Sequence, residues 1–210
     1  MPVKQPKQER SESTQTLLLD AFAELLRDRG VHQVSVADVA GRAGLTTGAV
    51  YARFGDKRGM ILAAHRHLTE QAAVQMRAWA RKGPRAGASP RDVVRAWVRG
   101  ASDYSRRLEP VVRLGLALDD PDIAEQARTT LEVSVQTLAS MLRAASPELV
   151  GPDFEKGLAL GVWAAQALSV ERLLIPARGW FEFDDKDIVE RLTDLVCHSA
   201  GIRERARVRR

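Results

Sequence analysis

The sequence predicts an all-α fold. Apolar residues recur at spacings of three and four along most of the chain, a period that is typical of amphipathic helices. Prolines at positions 90, 110, 121, 147, 152 and 176 stand near the ends of the predicted helices, where a missing N–H costs little. No stretch of useful length alternates apolar and polar residues as a half-buried strand does. The 210 residues are therefore expected to be helical almost throughout.

Two helices are predicted before residue 45. The first ends at Gly30, because glycine suits the left-handed position that follows a last helical turn. Its buried stripe is formed by Leu18, Ala21, Phe22, Leu25 and Leu26. The second helix begins at Ser35, which forms the Ser-x-x-Asp pattern of a capping box with Asp38. It runs to about Ala43, and Gly44 ends it.

A third, short helix presents an unusually small outer surface. Thr46 and Thr47 supply its N-cap, and it runs from Gly48 to about Phe54 with Val50 on the inner side. Glycine and alanine near its start would let its backbone approach the bases in a DNA major groove, which is about 12 Å wide. Lys57 opens the next helix, where free N–H groups also favour anions such as phosphate. The segment therefore predicts a DNA-docking surface.

The rest of the chain is predicted as helices separated by turns that contain proline or glycine. A long helix runs from Lys57 to about Lys82, and residues 83–90 break its pattern as a mobile loop. Further helices are predicted over 91–108, 110–118, 121–145 and 152–174, with a last one from Asp185 to about Gly201.

The order of residues from Val34 to Lys57 resembles that of a known family. It reads Val-Ser-Val-x-x-Val-Ala-x-x-Ala-Gly-Leu-Thr-x-Gly-x-Val-Tyr-x-x-Phe-x-x-Lys, which closely resembles the N-terminal domain of the TetR family of transcriptional regulators. The match extends over Thr14 to Leu68. It implies an N-terminal three-helix helix-turn-helix DNA-binding domain joined to a larger C-terminal helical domain for ligand binding and dimerisation. In this resemblance Tyr51 and Lys57 hold phosphates, and Ser35 caps the second helix at the DNA backbone.

The resemblance and the residue types together predict one set of DNA contacts. The predicted DNA-binding residues are Ser35, Arg42, Thr46, Thr47, Gly48, Ala49, Tyr51, Arg53 and Lys57. Direct base readout is expected from Thr47 and Arg42, with methyl contacts and DNA shape supplying the remainder, because the alanines nearby have no hydrogen-bonding group. Alternatively, Arg42 is an ordinary solvated side chain that does not contact DNA.

The predicted domain division follows from the same match. It places a flexible arm at residues 1–11, the DNA-binding domain at 12–58, the effector-binding and dimerisation domain at 59–201 and a basic tail at 202–210.

The last two predicted helices carry apolar faces that have two interpretations. They complete the core of one chain, or they pair with the same helices of a second copy, and the resemblance favours the second interpretation. The predicted dimer-interface residues are Gly161, Ala165, Leu168, Leu192, Leu195 and Val196. A homodimer also suits the DNA, since two heads about 34–36 Å apart reach successive major grooves of a palindromic operator.

The middle helices are, by resemblance, the segment that holds a small-molecule effector. The predicted pocket residues are Trp97, Tyr104, Leu108, Val112, Leu116, Met141 and Trp163. The implied function is sequence-specific transcriptional regulation by a homodimeric repressor that a small, largely apolar ligand releases from its operator. Two alternatives stay open. One is a DNA-binding regulator of this fold without a small-molecule effector, and the other is a helical carrier or enzyme with a vestigial head.

Composition and charge bear on the partners and on the chemistry. The net charge is +5, and residues 41–85 hold nine Lys and Arg against two acids, which favours a polyanionic partner. The sequence shows no nucleophile–base motif, phosphate-binding glycine loop or metal-ligand pattern, and its single cysteine, Cys197, excludes an internal disulfide. We therefore expect no enzyme activity, no cofactor and no metal.

The N-terminus lacks the apolar core of a secretory signal, and the longest uncharged run, 157–170, is shorter than the roughly 20 residues that span a bilayer. No membrane contact and a cytoplasmic location are expected.

Overall fold

The computed structural model describes residues 7–29, 33–118, 120–174 and 184–203, with side chains from Ser13 onwards except at 27, 107, 108, 110–118, 173 and 174. Within these residues the chain forms eight helices and no strand, which confirms the all-α prediction. The helices are α1 (Lys7–Arg29), α2 (Val36–Arg42), α3 (Thr47–Phe54), α4 (Lys57–Lys82), α5 (Pro90–Leu118), α6 (Pro121–Ala145), α7 (Pro152–Leu174) and α8 (Asp185–Ser199). Over the described part of the chain, none of them is long and apolar enough to cross a membrane.

One compact unit is formed by the described residues of 1–70 and 107–126. Its core gathers the inner stripes of α1 to α4, and the side chains that are almost fully buried include Leu18, Phe22, Leu25, Val39, Val50 and Met60. With 7 and 8 residues, α2 and α3 are too short to be stable as isolated helices in water. Packing of Val39 and Val50 against α1 and α4 therefore determines where these two helices lie.

The other compact unit comprises the described residues of 71–106 and 127–210. Its core is formed by α5 to α8 and includes Trp97, Leu138, Leu142, Leu158, Val162 and Val196. The two last helices approach most closely at two glycines. A Cβ at Gly157 would lie 1.9 Å from the Ser199 carbonyl oxygen, and a Cβ at Gly161 would lie 2.9 Å from the Val196 Cα. Gly157 and Gly161 thus let α7 approach α8 closely, and both of these contacts lie within one chain.

Helix α5 differs from the prediction. It runs unbroken from Pro90 to Leu118, whereas two helices were expected over 91–108 and 110–118. Pro110 lacks the N–H that an interior helical position donates, so a break was the natural expectation. A break also needs turn-forming residues, and only Glu109 separates Leu108 from Pro110. The prediction of two helices is therefore wrong.

The two ends of the chain bear on the predicted domain division. Helix α1 begins at Lys7, inside the segment expected to be a flexible arm, because the polar residues there are good helix formers. Residues 1–6 and 204–210, which hold the rest of that arm and most of the basic tail, lie outside the described residues. The predicted boundary between 58 and 59 stays a prediction.

Candidate nucleic-acid interface

The start of α2 is held by a complete capping box. The Asp38 N–H donates to the Ser35 Oγ at 3.2 Å, and the Ser35 N–H donates to Asp38 Oδ2 at 2.9 Å. The Ser35 hydroxyl also donates to the same carboxylate. This hydroxyl, with the Ser35 N–H second, lowers the pKa of Asp38 below its ordinary value. The predicted cap is confirmed, and it orients the Ser35 backbone at the edge of the helix-turn-helix.

The turn between α2 and α3 depends on Gly44. Its φ of 68° lies in the left-handed region that favours glycine. The Leu45 N–H then donates to the Ala40 carbonyl at 2.8 Å, and Leu45 packs against the core of the first unit. These contacts leave α2 and α3 joined by a short, closed turn.

Helix α3 buries one side and exposes the other. Thr46 caps it by accepting from the Ala49 N–H at 3.2 Å, and Val50 is almost fully buried. The opposite side exposes Thr47, Gly48, Tyr51 and Ala52, and Tyr51 is 52% exposed although it is aromatic. A Cβ at Gly48 would meet only the Thr46 Oγ1, at an ordinary 3.7 Å. The fold itself therefore does not require glycine at position 48.

The junction of α3 with α4 is tight, and sequence reasoning missed the residue that makes it so. The Gly55 N–H closes α3 on the Tyr51 carbonyl at 2.9 Å, and Asp56 Oδ1 accepts from the Gly59 N–H at 2.7 Å to cap α4. A Cβ at Gly59 would lie 2.0 Å from the Phe54 carbonyl oxygen. The sequence did contain one signal for this residue. A glycine in the first turn of a helix costs up to about 1 kcal/mol relative to alanine, so a glycine at this position indicates a packing requirement.

The tight junction sets where Lys57 lies relative to α3. Lys57 is the first residue of α4 and is exposed. The Asp56 carboxylate already accepts from the Gly59 N–H of this turn, so the Lys57 ammonium is the group that attracts anions at this point of the surface.

Arg42 is engaged within the chain. Its guanidinium lies 3.2 Å from Glu24 Oε2 and 3.6 Å from Asp28 Oδ2 of α1. Contact with DNA would require Arg42 to exchange or share these partners.

Arg53 is half-buried near the end of α3. All nine predicted DNA-binding residues lie between the start of α2 and the first residue of α4, within the first compact unit.

The predicted pocket residues fall into four groups. Trp97 and Met141 are buried in the core of the second unit. Tyr104 is half-buried, and desolvation raises the pKa of its phenol well above the ordinary value. Trp163 is 59% exposed on α7 and therefore does not line an enclosed cavity of this chain. The side chains of Leu108, Val112 and Leu116 lie outside those described.

Four of the predicted interface residues belong to the core of the chain. Gly161, Ala165, Leu192 and Val196 are buried, because α7 and α8 pack against each other through these positions. The expectation that they meet a second copy is corrected accordingly: their contacts are made within the chain. Leu168 is 47% exposed and Leu195 is half-buried, so both retain surface for a partner.

Among the residues that the structure describes, no group of three or more His, Cys, Asp and Glu side chains is arranged to hold a metal ion.

Comparison with known proteins covers most of the chain. A family model described as bacterial regulatory proteins, tetR family, matches residues 18–64. The HTH-type transcriptional regulator BetI of Paraburkholderia xenovorans strain LB400 is 32% identical over 174 residues, which are 79% of this chain and 88% of the relative. BetI of Paraburkholderia phymatum is 33% identical over 174 residues, which are 78% of this chain and 86% of the relative.

Solved structures show the same fold. A transcriptional regulator from Rhodococcus sp. Rha1 has a TM-score of 0.63 and 21% identity, covering 89% of this chain and 96% of that chain. A regulator of the TetR/AcrR family from Thermobifida fusca YX-ER1 has a TM-score of 0.60 and 21% identity, covering 91% of this chain and all of that chain.

Proposed function

The chain belongs to the TetR family of bacterial regulatory proteins, and on this premise we propose that it is a homodimeric transcriptional repressor whose α3 enters the major groove of a palindromic operator. The observation that carries the proposal is the outer face of α3. Its small and hydroxylated residues are exposed, although α3 is anchored to the core through Val50. Because bacterial DNA lies in the cytoplasm, the proposed function places the protein there.

Groove entry is supported by the leading end of α3. Gly48 has open space where a side chain would stand, and Thr47 beside it offers a hydroxyl and a methyl group. A threonine can hydrogen-bond to a base edge or contact the methyl group of thymine. The absence of a Cβ at Gly48 would let the helix backbone come close to the bases, which explains a glycine that the fold does not need.

Phosphate contacts are assigned to two side chains that flank α3. The exposed Tyr51 phenol and the Lys57 ammonium can each donate to a phosphate oxygen. Contacts of this kind hold the protein in register on the duplex without reading sequence. Base recognition would then depend on α3 alone, aided by DNA shape.

Dimerisation is assigned to the outer face of α7. Leu160 and Trp163 are 56% and 59% exposed on α7, and Leu168, on the side of α7 that is nearer to α8, is 47% exposed. Large apolar side chains gathered on one exposed face mark protein–protein contact sites. Leu195 of α8 would extend this surface. A second copy would supply the second head that a palindromic operator needs.

Release by an effector is the third part of the proposal. The indole N–H of Trp97 and the hydroxyl of Ser102 are buried on α5, and within the described residues neither has a hydrogen-bond partner. A buried polar group without a partner costs about 1–3 kcal/mol, which a ligand with an acceptor atom would offset. Such a ligand would be largely apolar, because aliphatic side chains surround Trp97.

The test begins with DNA that flanks the protein's own gene. Footprinting on that DNA should reveal a palindromic site, and gel-shift titrations with Tyr51→Phe and Lys57→Ala should show weaker binding than wild type. Lys82→Ala, at the far end of the same helix, is the matched control and should bind like wild type. If both head variants bind as tightly as wild type, the assignment of the reading surface fails. Thermal-shift screening of apolar acids, thioesters and drugs would then address the effector.

A further inference from the structure

A buried carboxylate joins the start of α6 to the first turn of α4. The Asp120 side chain is only 4% exposed, and its Oδ2 pairs with the guanidinium of Arg58. Its Oδ1 accepts from the Asp122 N–H at 2.9 Å, so the same group caps α6. Asp120 thus makes two contacts, one local and one with a residue 62 positions earlier in the chain.

The burial of Asp120 makes the pair with Arg58 costly to separate. A carboxylate removed from water is stable only while a cation and hydrogen-bond donors satisfy it, and loss of one partner is strongly unfavourable. The Arg58 guanidinium is more than half exposed, yet Asp120 determines where it points. The first turn of α4 therefore cannot move away from α6 without leaving a buried charge unpaired.

A second polar contact lies two helical turns further along α4. His65 is buried, and its Nδ1 lies 2.6 Å from Gln126 Oε1 of α6. Positions 58 and 65 are seven apart, so both face the same side of α4. The opposite side, with Met60 and Ala64, packs into the core beneath α3. The part of α4 that belongs to the first compact unit is therefore held between that core and the start of α6.

We propose that Asp120 is a positioning residue for DNA binding, which acts through Arg58 to hold the first turn of α4, and with it Lys57, at the spacing from α3 that phosphate contact requires. This inference rests on the proposed function of Lys57. Lys57 directly precedes Arg58, so an Arg58 side chain tied to a buried carboxylate holds the helix backbone from which the Lys57 side chain extends.

Two other roles predict different results. If Arg58 were itself a phosphate ligand, Asp120 would compete with DNA for it, and Asp120→Asn would tighten binding. If Asp120 only capped α6, Asp120→Asn would keep the cap, because the asparagine oxygen still accepts from the Asp122 N–H, and DNA affinity would not change.

The experiment is a double-mutant cycle with DNA affinity as the readout. It uses the full-length protein, its operator DNA, and the variants Asp120→Asn, Arg58→Gln and the double variant, each measured over a range of salt concentrations. We expect each single variant to bind at least about fivefold more weakly, the lower end of couplings between sites in proteins. The double variant should be no weaker than either single one, since both break the same link. The salt slope should fall by no more than it does in Lys57→Ala, about 0.9 per head, because these variants lose the same phosphate contact indirectly.

The controls separate this proposal from the function on which it rests. Arg66→Gln, an exposed arginine on the same helix, should bind like wild type. If Lys57→Ala and Asp120→Asn both leave the DNA affinity unchanged, the proposed function fails. If Lys57→Ala weakens binding and Asp120→Asn does not, only the positioning role of Asp120 is overturned.

Several results would overturn the positioning role. They are wild-type or tighter binding by Asp120→Asn, a salt slope that is reduced in Arg58→Gln but not in Asp120→Asn, and additive effects in the double variant. Should Asp120→Asn fail to fold, Arg58→Gln and Arg58→Lys decide. The first should bind weakly with a slope no lower than that of Lys57→Ala, and the second should restore part of the affinity, because lysine still pairs with the buried carboxylate.

Discussion

Replacing Gly59 by alanine tests how the DNA-reading surface is held together. The added Cβ would stand 2.0 Å from the Phe54 carbonyl oxygen, and ordinary contact begins at 3.4 Å. The first turn of α4 must therefore move away from the end of α3 by about 1.4 Å. A carbonyl oxygen belongs to the backbone and cannot rotate aside as a side chain can.

The magnitudes favour a net loss of stability. Overpacking of this kind costs about 1–3 kcal/mol. Alanine stabilises a helix by up to about 1 kcal/mol relative to glycine, and with that gain subtracted we expect Gly59→Ala to lower the free energy of unfolding by about 0–2 kcal/mol. The same displacement moves Lys57 relative to α3 by more than the range over which a hydrogen bond holds, so one charge-assisted phosphate contact per head is lost, worth about 1.5–3 kcal/mol.

Two measurements check this reasoning. Urea unfolding followed by circular dichroism gives the stability, and fluorescence anisotropy with labelled operator gives the affinity at fixed salt. Gly41→Ala is the matched control, because a Cβ there meets nothing within 4 Å and the residue lies inside α2. It should stabilise the protein by up to about 1 kcal/mol. Wild-type stability together with wild-type affinity in Gly59→Ala would refute the account of the junction.

The remaining predictions concern the cap of α2 and the dimer. Ser35→Ala removes the capping oxygen and should lower the free energy of unfolding by about 0.5–2 kcal/mol in urea titrations; an unchanged midpoint would contradict the cap. Because the folded-state pKa of Asp38 is lowered, its contribution to stability is present above the ordinary pKa of a carboxyl group and is lost as the pH falls through the lower folded value. The difference in melting temperature between wild type and Asp38→Asn should therefore be largest at neutral pH and shrink below about pH 4. A difference that does not change with pH would contradict this role of the Asp38 carboxylate. Trp163→Glu should convert the dimer to monomer in sedimentation velocity, whereas Val150→Glu, similarly exposed but in the loop before α7, should not. A dimer that survives Trp163→Glu would exclude this face.

Local features of the DNA-reading head were predictable from the sequence. The capping box of Ser35 and Asp38, the left-handed Gly44 and the start of α4 at Lys57 each depend on residues within a few positions of one another. Local chemistry determines such features, because a cap or a tight turn needs particular residue types at fixed spacing. The fold class followed from hydrophobic periodicity for the same reason.

Features that depend on distant residues were not predictable. The clash that requires Gly59, the pair of Arg58 with Asp120, and the burial of Gly161 against α8 are set by how helices pack, which spacing along one helix does not reveal. An apolar stripe shows that a helix face is covered but not what covers it, so a core face and a dimer face look alike in sequence. Pro110 illustrates the same limit, since its preference for helix ends was overridden within α5.

The proposed function requires that the α3–α4 junction holds DNA through phosphate contacts beside a groove-reading helix. The most direct test is the slope of log affinity against log salt concentration for wild type, Lys57→Ala and Lys82→Ala on the footprinted operator. Each phosphate contact contributes a slope of about −0.9, so Lys57→Ala should weaken binding to every DNA and reduce the slope by about 0.9 per head, while Lys82→Ala keeps both values. An unchanged slope and affinity in Lys57→Ala would contradict the account.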